Sequence, residues 1–115
     1  MSISILYVRC STIEQNSDRQ RVNENDFDKV IEDRCSGSLS MFSRIGGGEL
    51  KKLIDLNIVS SISIWQIDRC GRDLHDILSF IKYTTERKVP VRFINQGLCT
   101  IHENGEENPI SKMVI

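Results

Sequence analysis

A strong charge is the first thing this sequence lacks: 15 Lys and Arg against 16 Asp and Glu leave a formal net charge of −1 over 115 residues. A protein that grips a polyanion by bulk charge is strongly basic, so any contact with nucleic acid must rest on a local cluster of arginines. Long apolar runs are also absent. The opening MSISILYVRCS has no basic leader, and its apolar stretch is too short for a signal core or a membrane span. The four cysteines, Cys10, Cys35, Cys70 and Cys99, form no C-x-x-C pair and have no His-x-x-x-His nearby. That argues against a zinc site and a disulfide framework, and fits reduced thiols in a cytoplasmic protein. Gly46–Gly48 are followed by Glu49-Leu50-Lys51-Lys52, not by the Gly-Lys-Ser/Thr of a P-loop, so the glycines do not signal ATP or GTP. His75 and His102 have no partner at ligand spacing, no Ser-His-Asp arrangement is legible, and no cysteine is followed by arginine six positions on. No metal and no cofactor is expected.

What is present suits one soluble domain, with 39% apolar and 27% charged residues in a length that would hardly stabilise two. Residues 3–9 are apolar on both parities, as in a strand buried on both faces of a parallel sheet. The next stretch, STIEQNSDRQRVNENDF, is polar, and Ser17 or Asp18 is placed to cap a helix whose apolar stripe is chiefly Val22 and Phe27. A short strand is expected at 29–32. CSGSLSMFSRIGGG reads as a mobile loop with a glycine hinge. Leu50, Leu53 and Ile54 mark a helix from Glu49, and SISIWQI alternates as a strand. Asp73 is set to cap a helix whose Leu74, Ile77, Leu78 and Ile81 fall at i, i+3, i+4 and i+7. Residues 89–94 read as a strand, 95–108 as a loop, and Pro109 suits the first turn of a last helix. Strands alternating with helices predict an α/β fold, a three-layer-type sandwich with a mostly parallel central sheet flanked by helices.

Two constellations fall at predicted strand ends, where open α/β sheets carry their functional residues. In Arg9-Cys10-Ser11-Thr12, Arg9 and Ser11 share a parity while the strand continues. A serine beside a fixed guanidinium suits a phosphate, although the tetrapeptide alone fits a helix-capping turn better. In Asp68-Arg69-Cys70-Gly71-Arg72-Asp73, the arginines are three apart and so share a face of a first helical turn, whose amino terminus also attracts an anion. A solvated salt-bridge cluster fits that hexapeptide equally well, because Asp68 and Asp73 flank the arginines. Arg44 sits in the Gly-rich loop. Gln15, Gln20, Asp33 and Ser36 are polar residues near strand ends, and by type alone none is functional. Cys10, Cys35 and Cys70 adjoin these residues and read best as small buried hydrophobes.

In order along the chain, these segments resemble the serine recombinase family of resolvases and DNA invertases. Tyr7-Val8-Arg9-Cys10-Ser11-Thr12 followed by Gln15, with Gln20 after it, is similar to the family's Tyr-x-Arg-x-Ser-Thr opening. Asp33 with Ser36-Gly37 matches its Asp and Ser-Gly, Arg44 its loop arginine, and Ile67-Asp68-Arg69-Cys70-Gly71-Arg72 its Leu-Asp-Arg-Leu-Gly-Arg. Ser111-Lys112-Met113-Val114 looks like the start of its long helix, cut off at Ile115. The departures are a less apolar segment after the first strand, and Arg44-Ile45-Gly46-Gly47 in place of Arg-Pro-Gly-Leu. Lys51 and Lys52 lie near the place of a family lysine, and the role falls to neither.

The resemblance implies one resolvase-like catalytic domain over residues 1–115, truncated at the start of a long helix at about 109–115. It implies a site-specific DNA recombinase that cuts and rejoins DNA through a covalent 5′-phosphoserine on Ser11. Arg9, Arg69 and Arg72, with Arg44, offset the developing charge, and Asp68 either holds an arginine or handles the leaving-group proton. DNA is the implied partner, with a homodimer and a synaptic homotetramer in the full-length protein, no membrane, and a cytoplasmic location. The rival readings are a non-catalytic regulatory relative of the same fold and a serine-based phosphoesterase.

Overall fold

The computed structural model of the chain describes residues 2–11, 18–21 and 23–109. Five strands form one sheet in the order β2-β1-β3-β4-β5: β1 (Ile3–Cys10), β2 (Lys29–Arg34), β3 (Val59–Ile64), β4 (Val91–Phe93) and β5 (Leu98–Cys99). The first four are parallel, and β5 runs antiparallel to β4. Two α-helices are described, α1 (Ile45–Asp55) and α2 (Leu74–Glu86). The mostly parallel sheet with helices is the architecture expected from the alternation of elements. None of the helices is long and apolar enough to cross a membrane, among the described residues.

The doubly apolar pattern of β1 has a direct cause. Ile5 and Tyr7 point to one face, with Ile62, Ile64, Val91 and Phe93, and meet Leu50 and Ile54 of α1 and Ile77, Phe80 and Ile81 of α2. Leu6, Val8 and Cys10 point to the other face, where Phe27, Val30 and Ile94 pack on them. Both α-helices cover the same face because β2-α1-β3 and β3-α2-β4 step in the same direction across the sheet. Right-handed crossovers moving one way must stay on one side. The β1-to-β2 connection steps the opposite way, and its Phe27 accordingly sits on the other face. The strand order therefore reverses between β1 and β3, and the carboxyl end of β1 lies at that switch point.

Several local expectations change. Within CSGSLSMFSRIGGG a single-turn 3-10 helix covers Met41–Ser43, and α1 begins at Ile45 instead of Glu49. The glycines are the first turn of α1 and not a hinge. A Cβ on Gly47 would lie 1.8 Å from the Met41 carbonyl oxygen, and one on Gly46 would lie 2.7 Å from Ile31 and 2.8 Å from the Asp33 carboxylate. They are small because the backbone is approached closely. β5 lies inside the stretch expected to be loop, and it is only two residues long. The helix expected after β1 falls partly on residues 12–17 and 22, outside the described residues. Asp18–Arg21 there form a turn and Glu24–Asp26 one turn of 3-10 helix. Residues 110–115, where the long helix is expected to start, also lie outside the described residues. Asp73 caps α2 as expected, its Oδ1 accepting the Asp76 amide at 2.8 Å.

Candidate functional site

β1 delivers Arg9 and Ser11 to the switch point. Arg9 is only 9% exposed, yet among the described residues its side chain finds just one partner, donating Nη1–H to the Cys35 carbonyl at 3.0 Å. Its Nε is buried with no hydrogen-bond partner. The Arg9 backbone is held by a side-chain amide. Gln20 Oε1 accepts the Arg9 N–H at 3.2 Å, and Gln20 Nε2 donates to the Arg9 carbonyl at 3.0 Å. β3 pairs with β1 only as far as Tyr7, so the buried Gln20 stands in for the missing strand. Arg69 Nη1 reaches the same Arg9 carbonyl at 3.3 Å, tying the end of β3 to the end of β1. Ser11 is the residue after β1, and it is half-buried.

Beneath lies a buried polar network. Asp33, 5% exposed at the end of β2, accepts three hydrogen bonds: the Tyr7 hydroxyl at 2.7 Å and the amides of Gly46 and Gly47 at 2.7 and 2.9 Å. A carboxylate on a helix amino terminus satisfies amides that lack an intrahelical partner and complements the helix dipole. The cap of α1 therefore comes from another strand, because Arg44 at the cap position offers none. Tyr7 also accepts from Arg44 Nη1 at 3.1 Å. Burial pushes the Tyr7 phenol well above its ordinary value, although the Arg44 hydrogen bond and charge pull it down, so it stays protonated and donates to Asp33. Arg44 itself is 2% exposed. Besides Tyr7, it donates to the carbonyls of Arg69 at 2.6 Å and Leu39 at 3.1 Å. Its Nη2 is buried without a partner.

Arg9, Arg69, Arg44, Asp33 and Gln20 are thus brought together, through Tyr7, near the end of the strand that leads to Ser11. Other candidates are not. Arg69 belongs to a single-turn 3-10 helix (Ile67–Cys70), whereas Arg72 lies beyond Gly71, before α2. The two arginines therefore do not share a first helical turn. Arg72 is exposed, with Nε 3.7 Å from the Asp73 carboxylate, which fits the solvated-pair reading of the hexapeptide. The amino terminus of α2 is already served by Asp73, and Asp76 accepts the amides of Met41 and Arg72 at 3.0 and 2.9 Å. It is not an open anion site. Asp68 is exposed, and so is Ser36, whose hydroxyl bonds that of Ser38 at 2.8 Å. Gln15 lies outside the described residues. Lys51 pairs with Asp55 at 3.3 Å, toward the far end of α1. His75 and His102 are on the surface. All four cysteines are free, and Cys10 and Cys70 are fully buried; burial pushes the Cys70 thiol up, so it remains a thiol.

Tyr7 is the site residue that reasoning from residue types missed. The signal was available: a phenol inside a strand buried on both faces must hydrogen-bond something.

Arg9 and Arg44 make no ion pair with a carboxylate among the described residues, although both are buried. A buried cation is costly unless an anion repays its lost hydration. The arrangement thus offers a hydroxyl and guanidinium charge to an anion arriving at the end of β1.

The family model for the resolvase N-terminal domain matches residues 4–114. The DNA-invertase hin of Salmonella typhimurium is 34% identical over 87 residues, covering 73% of this chain and 43% of that protein. The transposon Tn552 resolvase of Staphylococcus aureus is 31% identical over 99 residues, covering 84% of this chain and 48% of that protein. The chain spans about half the length of the curated relatives it matches. Among solved structures, the N-terminal catalytic domain of TP901-1 integrase shares the fold, with a TM-score of 0.72 at 20% identity over 89% of this chain and 84% of that one. A serine recombinase from Sulfolobus solfataricus gives a TM-score of 0.63 at 30% identity over 81% of this chain and 70% of that one. With nearly its whole length matched by the family model, the chain belongs to the resolvase N-terminal domain family.

Proposed function

We propose that this chain is the catalytic part of a site-specific DNA recombinase in which Ser11 is the nucleophile. Ser11 Oγ gives up its proton and forms a bond to the scissile phosphorus. The bond to the 3′ oxygen breaks, that oxygen leaves as a hydroxyl, and the 5′ phosphate remains on serine. The diester count is conserved, so attack by a 3′ hydroxyl on the phosphoserine rejoins DNA without ATP. Phosphoryl transfer asks mainly for positioning and for charge stabilisation on the phosphoryl oxygens. Arg9 and Arg69 supply both from fixed places, and Arg72 adds charge by leaving Asp73 when DNA arrives. Strand exchange takes place in the cytoplasm, in a synaptic tetramer assembled from homodimers.

The observation that carries this reading is the burial of Arg9 with no carboxylate partner among the described residues, at the end of the strand that leads to Ser11. Asp33 bears against the phosphoesterase alternative. It is the buried carboxylate of the site, and its three bonds to Tyr7, Gly46 and Gly47 leave it unsuited to activating a water. The test mixes the full gene product with labelled DNA flanking its own gene, quenches in denaturant, and compares wild type with Ser11→Ala on a gel. A protein adduct on 5′ ends that is lost in Ser11→Ala supports the reading. An adduct surviving in the variant moves the nucleophile elsewhere, and no adduct from either favours a regulatory relative.

A further inference from the structure

We propose that Arg44 is a positioning residue for the phosphate-binding arginines and makes no contact with DNA itself. The proposal rests on the recombinase reading above and assigns one of its residues a different task. Arg44 is the largest fully buried side chain among the described residues, at 2% exposure. Its guanidinium is committed inward on two nitrogens: Nε to the Leu39 carbonyl, and Nη1 to the Tyr7 hydroxyl and the Arg69 carbonyl. The sulfur of Met41 lies 3.7 Å from the same Nη1. Turning Arg44 out to meet a phosphate would break all of these and strand buried acceptors, each worth about 1–3 kcal/mol.

The bonds form a chain that ends two residues before the proposed nucleophile. Gly46 and Gly47 fix Asp33, Asp33 fixes the Tyr7 hydroxyl, and Tyr7 fixes Arg44. Arg44 clamps the Arg69 backbone at 2.6 Å, and Arg69 reaches the Arg9 carbonyl, one peptide from Cys10 and two residues from Ser11. The planar fork is what the task needs. A guanidinium bonds several acceptors at fixed angles, whereas an ammonium of equal charge is a point donor on a flexible stem. The role therefore depends on shape as well as on charge.

A neutral substrate separates the two roles. DNA carrying a methylphosphonate at the scissile position has lost the charge that a contacting arginine offsets, so losing such an arginine matters less on it. The full gene product is tested as wild type, Arg9→Ala, Arg44→Ala, Arg44→Lys and Tyr7→Phe on native and methylphosphonate DNA, reading the rate of Ser11 adduct formation. Arg9→Ala is expected to recover on the neutral substrate. Arg44→Ala is expected to be slowed about a hundredfold, the scale of a small misplacement at a reacting centre, by the same factor on both substrates. Arg44→Lys is expected to be as slow as Arg44→Ala, and Tyr7→Phe to be about tenfold slower with unchanged DNA affinity. Recovery of Arg44→Ala on methylphosphonate DNA, or of Arg44→Lys on native DNA, overturns the proposal. If Arg44→Ala fails to fold, Arg44→Lys and Tyr7→Phe decide. Failure of the wild type to form an adduct on native DNA instead overturns the recombinase reading.

Discussion

The molecule builds the same trio, a tyrosine, an aspartate and an arginine, in two opposite settings. Tyr7, Asp33 and Arg44 lie buried at the carboxyl end of the sheet. Exposed Asp55 and Arg87, with half-buried Tyr83, lie toward the surface where α1 and α2 end. In the surface trio the Tyr83 hydroxyl also donates to the carboxylate, and Arg87 lies 3.5 Å above the Tyr83 ring with its Nε 3.7 Å from Asp55. Lys51 adds a second cation, 3.3 Å from the same carboxylate. There the aspartate meets its cations directly. In the buried trio, Tyr7 stands between carboxylate and cation. Asp33 spends its charge on the amides of α1, and Arg44 spends its donors on carbonyls. Identical residue types thus staple two helices in one place and, in the other, tie together the ends of three strands at the candidate site. Burial makes the difference, since exposed ion pairs contribute little while buried polar groups are costly when left unpaired.

The largest effect expected from this contrast comes from the glycines that seat Asp33. Gly47→Ala puts a methyl into the Met41 carbonyl and is predicted to cost about 3 kcal/mol or more in urea unfolding, displacing the whole buried trio. Gly48→Ala meets only the Phe42 carbonyl, at an ordinary 3.6 Å. It should be neutral or stabilising by about 0.5–1 kcal/mol, because alanine favours a helix over glycine. If both substitutions behaved alike, the glycines would be acting as a hinge after all.

Removing one hydroxyl from each trio gives the next largest difference. Tyr7→Phe should cost about 1–3 kcal/mol, because Asp33 and Arg44 lose a buried partner, and Tyr83→Phe should cost much less. The two also part with pH. The folded state holds the Tyr7 phenol above its ordinary value of 10.0. The stability this brings is complete below pH 10 and is lost as the pH rises beyond it. Melting curves between pH 8 and 11 should therefore show the gap between wild type and Tyr7→Phe closing at the alkaline end. A constant gap would mean that the phenol is not shielded as described.

The smallest effect lies at acid pH. Hydrogen bonding from Tyr83, helped by Lys51, lowers the Asp55 carboxyl from its ordinary 3.8. Its contribution is present above that value and fades as the pH falls through the lower, folded-state value. Asp55→Asn should lower the melting temperature slightly at pH 7, with the difference disappearing in acid and shrinking in salt.

What could be read from the sequence was what neighbours decide. The apolar parities of β1, the Asp73 cap and the Leu74-Ile77-Leu78-Ile81 stripe depend on residues a few positions apart, and they name their elements correctly. The constellations at Arg9-Ser11 and Arg69 were legible because strand ends in an open sheet are places for chemistry. The remainder depends on partners distant in the chain. α1 starts five residues before its apolar stripe because its cap, Asp33, comes from β2. Glycine types suggested freedom where the Met41 carbonyl and Asp33 demand smallness. Arg72 and Arg69 are separated by a break at Gly71 that spacing alone does not show, and Tyr7 was hidden by sitting among apolar residues.

The central claim is that Ser11 carries the DNA, and locating the bond tests it most directly. The quenched adduct from wild-type protein would be digested with nuclease and protease and its nucleotide-bearing peptide sequenced by mass spectrometry. A nucleotide attached through its 5′ phosphate to Ser11 is the predicted result. A nucleotide on any other residue, or one linked through its 3′ phosphate, would contradict the account.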